Sequence, residues 1–175
     1  MEENSKAIRL NLGCGISKQE GYLNIDIDPK CNPDKVASIV ELDFIEDNSI
    51  ELVETYHTVE HLWPEEVPKF FKEMKRIIKK GGKLIIECPD LEKCIKLIKE
   101  GGLIGLRGIY GAGPEDKIEV GRMRNNIYTI HKTGFTKDIF KKYLEENGFK
   151  IIRFYDSIKY HGFPQRDTGV EAVKI

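Results

Sequence analysis

The chain has 175 residues, with 28 lysines and arginines against 29 aspartates and glutamates, for a net charge of −1. That length suits a single domain with a full core, and the near-neutral balance argues against the basic footprint of a nucleic-acid binder. No apolar run approaches the roughly 18 residues of a membrane span, residues 1–6 are too polar for a signal peptide, and Cys14, Cys31, Cys88 and Cys94 form no C-x-x-C pair that would announce zinc or a disulfide frame. Reduced thiols in a cytoplasmic protein are expected.

In chain order, an apolar strand over residues 8–12 runs into Gly13-Cys14-Gly15, where two glycines let the backbone turn sharply and approach a ligand closely. A second strand over 22–27 ends in the carboxylates of Asp26 and Asp28. Strands follow over 35–40 and 51–57. The clearest helix spans 64–79, with Val67, Phe70, Phe71, Met74, Ile77 and Ile78 at helical spacing. Pro64 suits its first position, Glu65 and Glu66 its positive end, and Lys79-Lys80-Gly81-Gly82 its stop. A strand over 83–88, helices over 91–100 and 136–147, and strands over 150–155 and 170–175 complete the chain.

Strands alternating with helices imply an α/β domain around a parallel sheet. The connections after the first two strands, about eight residues each, are too short for crossover helices. One sheet face should therefore be thinly covered, and a homodimer would cover it. Seven glycines from Gly101 to Gly121 disfavour regular structure. Residues 101–130 are thus expected to form a mobile lid that ends at His131.

A strand, a Gly-x-Gly turn and an acid at the tip of the next strand form a seat for a nucleoside ribose. A dinucleotide site would need a third glycine opening a phosphate-binding helix and an acid about 20 residues on. Lys18 stands at the third-glycine position, and only six residues separate Gly15 from Tyr22. A nucleoside ligand without phosphates, such as S-adenosylmethionine (SAM), fits better, because it does not need the helix dipole. Asp26 is the preferred ribose ligand. Strand alternation puts Asp28 on the same face, so it stays a candidate.

Leu10-Asn11-Leu12-Gly13-Cys14-Gly15, Asn24-Ile25-Asp26-Ile27-Asp28-Pro29, Val59-Glu60-His61-Leu62, Arg76-Ile77-Ile78-Lys79-Lys80-Gly81-Gly82-Lys83-Leu84 and Cys88-Pro89-Asp90 occur in that order. With them the sequence resembles the class I SAM-dependent methyltransferases over about residues 7–155. His131-Lys132-Thr133-Gly134-Phe135-Thr136 and Asn147-Gly148-Phe149 resemble a small bacterial and archaeal subgroup of type 11-like methyltransferases. The resemblance implies a Rossmann-like fold with a mostly parallel seven-stranded sheet, an antiparallel C-terminal strand, and trimmed helices after strands one and two. It implies SAM as cofactor, held by Asn11, Gly13, Cys14, Gly15, Asp26, Ile27, Ser38, Ile39 and His57. Ser38 stands where the family usually carries the carboxylate that meets the adenine amino group, with Asp43 the nearest alternative. Ile39 would offer its backbone N–H to the ring.

Methyl transfer from a sulfonium needs nucleophile, methyl and sulfur held in line, and sometimes a base. His57, His61 and His131 are the catalytic candidates, since imidazole titrates near neutrality. Glu60 is a further candidate for proton removal, and Glu60-His61 equally suits a structural role. His57-x-x-Glu60-His61 has metal-like spacing, but without a further ligand nearby no metal is expected. His161 lies in a Gly/Pro loop and equally suits the surface. The Asn/Asp-Pro-Pro-Tyr/Phe signature of nitrogen methyltransferases does not follow strand four, which favours an oxygen nucleophile. The expected function is SAM-dependent methyl transfer to a hydroxyl of a small molecule or surface-glycan precursor. A non-catalytic SAM-binding or methyltransferase-like regulatory partner is the alternative, and an NAD-dependent enzyme fails on the missing third glycine.

Overall fold

The computed structural model describes residues 8–111, 130–157 and 163–175, with Ile8 described by its backbone alone. Seven strands form one sheet: β1 (Ile8–Leu12), β2 (Leu23–Asp26), β3 (Lys35–Val36), β4 (Ile50–Tyr56), β5 (Ile78–Pro89), β6 (Phe149–Asp156) and β7 (Asp167–Lys174). Their spatial order is β3-β2-β1-β4-β5-β7-β6. Every neighbouring pair is parallel except those of β7, which runs antiparallel to both β5 and β6. The chain winds outward from β1 to β3 and then returns to β4 on the other side of β1. Such a reversal opens a crevice at the carboxyl ends of β1 and β4, where open α/β sheets bind ligands.

Four helices are described: α1 (Val67–Ile77), α2 (Leu91–Lys99), α3 (Ile104–Tyr110) and α4 (Lys137–Glu146). None of them is long and apolar enough to cross a membrane. Alternation along the strands sends Leu10, Leu12, Val53, Leu84, Ile86, Val170 and Ala172 into one core with Phe70, Phe71 and Met74 of α1 and Phe140 and Leu144 of α4. The opposite face is polar across β5, β7 and β6. Glu171 accepts from Lys83 at 2.8 Å and from Arg153 at 2.9 Å, and the Tyr155 hydroxyl donates to Glu87 at 2.8 Å.

The connections after β1 and β2 hold turns and one short 3-10 turn (Pro29–Cys31) in place of crossover helices. A side-chain clamp from α1 steadies the helix-free stretch between β3 and β4. Arg76 donates to the carbonyls of Ile45 and Leu42 at 2.7 and 3.0 Å, to Asp47 at 2.6 Å, and to both Glu73 oxygens. Glu73 also accepts the Leu42 amide at 2.9 Å. Arg76→Ala is expected to cost about 1.5–3 kcal/mol, the worth of charge-assisted bonds whose acceptors are then left behind. Urea denaturation checks it, and a midpoint like wild type would mean the clamp is ornamental.

Three sequence expectations shift. Strand β3 stops at Val36, because the Ala37 amide still bonds Asp26 but the chain then turns, Glu41 donating to the Ser38 carbonyl. Helix α1 ends at Ile77, and β5 begins at once with Ile78 paired to Ile50, so the Lys79–Gly82 stretch belongs to an irregular strand rather than a helix stop. Helix α3 forms inside the glycine-rich stretch expected to lack regular structure. Its Gly105 and Gly108 lie against α2, where an added Cβ would overlap the Cys94 carbonyl and thiol respectively. The glycines of α3 allow close packing. The rest of the expected lid, residues 112–129, lies outside the described residues.

Gly108→Ala is expected to destabilise by about 1–3 kcal/mol through overpacking. The same denaturation measurement tests it, and unchanged stability would show that Cys94 and Arg166 can move aside.

Candidate functional site

The β1 strand ends in Gly13 and Gly15, both with left-handed backbones (φ +68° and +49°). At that conformation a side chain is strained, which accounts for glycine in both places. A Cβ at Gly13 would also overlap the Thr58 side chain, whereas the space beside Gly15 is open. Thr58 follows β4, and its hydroxyl donates to the Leu12 carbonyl at 3.3 Å. The two loops at the crevice are thereby held together.

The Asp26 carboxylate organises the other wall. Its Oδ2 accepts the Gly15 amide at 2.7 Å and its Oδ1 the Asp28 amide at 2.8 Å. Asp28 caps the 3-10 turn by accepting the Lys30 amide at 2.9 Å. Asn11 is buried and donates to the Ser17 carbonyl at 3.1 Å and to Asn24 Oδ1 at 2.9 Å, so its amide shapes the loop from beneath. Cys14 is buried too; burial first, then nearby Asp26, pushes its thiol up to about 11, which leaves it unreactive. Ile27 is exposed, Ser38 half-buried, and the Ile39 side chain is anchored in the core. An open glycine cradle, a half-buried carboxylate and a polar rim suit a nucleoside.

A second group of side chains lies past β4. His57 has a left-handed backbone (φ +51°), an outlier for a non-glycine residue and a mark of functional sites. Its Nδ1 is 3.3 Å from Glu60 Oε1, and its Nε2 is 3.6 Å from Asp167 Oδ2. Burial pulls the His57 pKa down, but the two carboxylates outweigh it and the net direction is up. Carboxylates only accept hydrogen bonds, so this environment favours a doubly protonated ring. Asp167 is gripped in turn by the Arg166 guanidinium through bonds of 2.6 and 2.8 Å.

Glu60 is 2% exposed. Burial raises its pKa, yet His57 first, then His61 and His131, hold it well below the usual carboxylate range. Neither of its oxygens receives a well-formed hydrogen bond from the described residues. His131 arrives from far along the chain on a strap zipped to the 3-10 turn Val59–His61. The Glu60 carbonyl accepts the Lys132 and Thr133 amides at 2.8 and 3.1 Å, Lys132 Nζ donates to the His61 carbonyl at 3.0 Å, and the Thr133 hydroxyl to that of Leu62 at 2.6 Å. The His61 and His131 rings consequently meet edge to face, 4.9 Å apart.

Each ring is fixed by a backbone carbonyl. His61 Nδ1 lies 3.1 Å from the Ile130 carbonyl and His131 Nδ1 2.9 Å from that of Gly108. A carbonyl can only accept, so both Nδ1 atoms donate a proton, and the Nε2 atoms are not used by these bonds. Burial, opposed by Glu60, lowers the His131 pKa.

The crevice thus brings together Gly13, Gly15, Asp26 and, through Thr58, the turn bearing His57, while His61 and His131 gather around Glu60. Asn11 and Ile39 support from below. His161 lies outside the described residues. Sequence reasoning missed Asp167 and its guanidinium partner Arg166; neither sits in a motif, and only the pairing of β7 with β5 brings them to His57. A separate cavity of about 220 Å³ behind the strap, lined by Pro64, Val67, Thr133 and Tyr143 among others, shares no lining residue with either group.

Residues 10–86 match a family model described as a methyltransferase domain. No curated protein sequence matches the chain. Among solved structures, a SAM-dependent methyltransferase from Methanosarcina mazei is 19% identical with a TM-score of 0.69, covering 100% of this chain and 94% of that one. One from Archaeoglobus fulgidus is 16% identical (TM-score 0.65; 96% and 86% covered). Geranyl diphosphate C-methyltransferase from Streptomyces coelicolor, solved with Mg2+, geranyl diphosphate and S-adenosylhomocysteine, is 10% identical (TM-score 0.59; 98% and 74% covered).

Proposed function

We propose that this chain is a class I SAM-dependent methyltransferase that transfers the cofactor's methyl group to a hydroxyl of a small molecule or surface-glycan precursor. The observation that carries the reading is the pair of histidines, each bonded through Nδ1 to a backbone carbonyl, beside a buried carboxylate at the crevice end of β4. When bound, the cofactor supplies a methyl on a sulfonium sulfur, and the new C–O bond forms as the C–S bond breaks, its electron pair going to sulfur. Asp26 holds the ribose hydroxyls, Gly13 and Gly15 admit the methionyl part past Cys14 and Asn11, and Ser38, Ile39 and Ile27 border the adenine. His131, with His61 beside it, lies on the acceptor side and activates the hydroxyl, its Nε2 taking the proton. His57, set between Glu60 and Asp167, is the buried cation that balances them and orients the β4 end.

Four free thiols support a reducing, cytoplasmic setting. The polar face of the sheet leaves a homodimer to be tested by sedimentation. Calorimetry is expected to show SAM and S-adenosylhomocysteine binding at micromolar levels while NAD does not bind; tighter NAD binding would overturn the cofactor assignment. Labelled-methyl transfer across hydroxyl and amine acceptors tests the rest, and turnover on amines alone would remove the hydroxyl.

A further inference from the structure

The sequence offers His57-x-x-Glu60-His61 and no further ligand nearby; the fold delivers one. One nitrogen or oxygen atom each of Glu60, His61 and His131 lies within 4.8 Å of the others. His131 Nε2 is 3.9 Å from Glu60 Oε1. Ligands about 2.0–2.2 Å from a common ion are separated by roughly 3.3–4.3 Å, close to the separations found here.

We propose that Glu60, His61 and His131 form a binding site for a divalent first-row transition-metal ion.

Three independent features support it. First, Glu60 is buried to 2% exposure, and neither oxygen has a well-formed hydrogen bond among the described residues. His57 Nδ1, 3.3 Å from Oε1, offsets the charge without a well-formed bond, so both oxygens keep lone pairs that a metal ion can take. Second, both histidines already make the bond that metal-ligating histidines make. Each turns one ring N–H to a backbone carbonyl, Ile130 for His61 and Gly108 for His131, which fixes the ring and leaves the other nitrogen to coordinate. Third, the strap that carries His131 is tied to the Glu60 and His61 backbone by bonds from Lys132 and Thr133, so the three ligands are held as one rigid unit.

Two imidazoles and one carboxylate suit zinc, manganese, iron or cobalt better than the all-oxygen preference of magnesium or calcium. Three protein ligands leave a coordination position open, as in catalytic zinc sites. The role of the ion rests on the hydroxyl reading above. An acceptor hydroxyl taken as the added ligand would give up its proton to water at lower pH and arrive as the better nucleophile. The lone pair of His131 would then act through the ion rather than on the proton itself.

Chelator-treated protein titrated with Zn2+ or Co2+, without cofactor or acceptor, tests the site by calorimetry and by the visible spectrum of the cobalt form. One equivalent is expected to bind. Glu60→Gln, His61→Ala and His131→Ala should each weaken it by on the order of 100-fold or more, and the cobalt spectrum should change with each. Thermal melts of the metal-free variants separate ligand loss from unfolding, and Glu60→Gln keeps the side-chain volume. Asp26→Ala should bind metal as wild type does, because it lies at the ribose wall. No metal binding by the wild type, or binding that survives all three substitutions, overturns the site. The hydroxyl reading is judged separately by the acceptor assay, which can fail with the metal still bound.

Discussion

Replacing His131 by alanine is expected to lower turnover by about 10²–10⁴-fold, the usual contribution of a positioned proton-transfer or activating group, while SAM affinity stays nearly unchanged. The geometry separates the two quantities. His131 is held by the Gly108 carbonyl and lies against Glu60 and His61, whereas the proposed ribose wall is the bonded pair Asp26 and Gly15. An interaction made only with the acceptor or transition state lowers kcat without changing cofactor binding. His57→Ala should behave differently. Its ring is shared by Glu60 and Asp167; Asp167 keeps the Arg166 guanidinium, but buried Glu60 loses its nearest cationic partner, which should reduce stability by about 3–5 kcal/mol. Its loop is also tied to the glycine turn through Thr58, so SAM affinity should fall together with turnover. Wild-type turnover in His131→Ala, with calorimetry and labelled-methyl transfer run side by side, would reduce His131 to a packing residue.

These two histidines also show what a sequence can and cannot reveal. β1, β2 and α1 were legible because apolar periodicity is a local property: Leu10, Leu12 and Val67, Phe70, Phe71, Met74 are buried where their spacing says. The glycine turn and its acid were legible because a left-handed backbone leaves a composition signal. Helix α3 was not, since Gly105 and Gly108 read as breakers until Cys94 is seen against them. The strap was half legible. Its motif stood out, but nothing local says that Lys132 and Thr133 bond the Glu60 carbonyl, and that contact turns three scattered residues into a cluster. Asp167 was invisible for the same reason. It reaches His57 only because β7 inserts antiparallel beside β5, a fact of topology that leaves no mark near residue 57.

Asp26→Ala is expected to weaken SAM binding by roughly ten- to a hundred-fold, about 1.5–3 kcal/mol. A carboxylate accepting from two ribose hydroxyls makes charge-assisted bonds, about twice as strong as neutral ones. Asp26 has a second duty, because its two oxygens receive the Gly15 and Asp28 amides at 2.7 and 2.8 Å. Alanine therefore removes the proposed ribose ligand and also releases the glycine loop from the tip of β2. Asparagine distinguishes these contributions: it keeps a neutral acceptor of the same shape, so Asp26→Asn should fall between wild type and Asp26→Ala. Asp28 is the control. Its carboxylate caps the 3-10 turn through the Lys30 amide, so Asp28→Ala should cost local stability and leave SAM affinity within a few-fold of wild type. Calorimetry on the three variants decides it. Normal binding by Asp26→Ala, with loss in Asp28→Ala, would move the ribose contact two residues along the strand end.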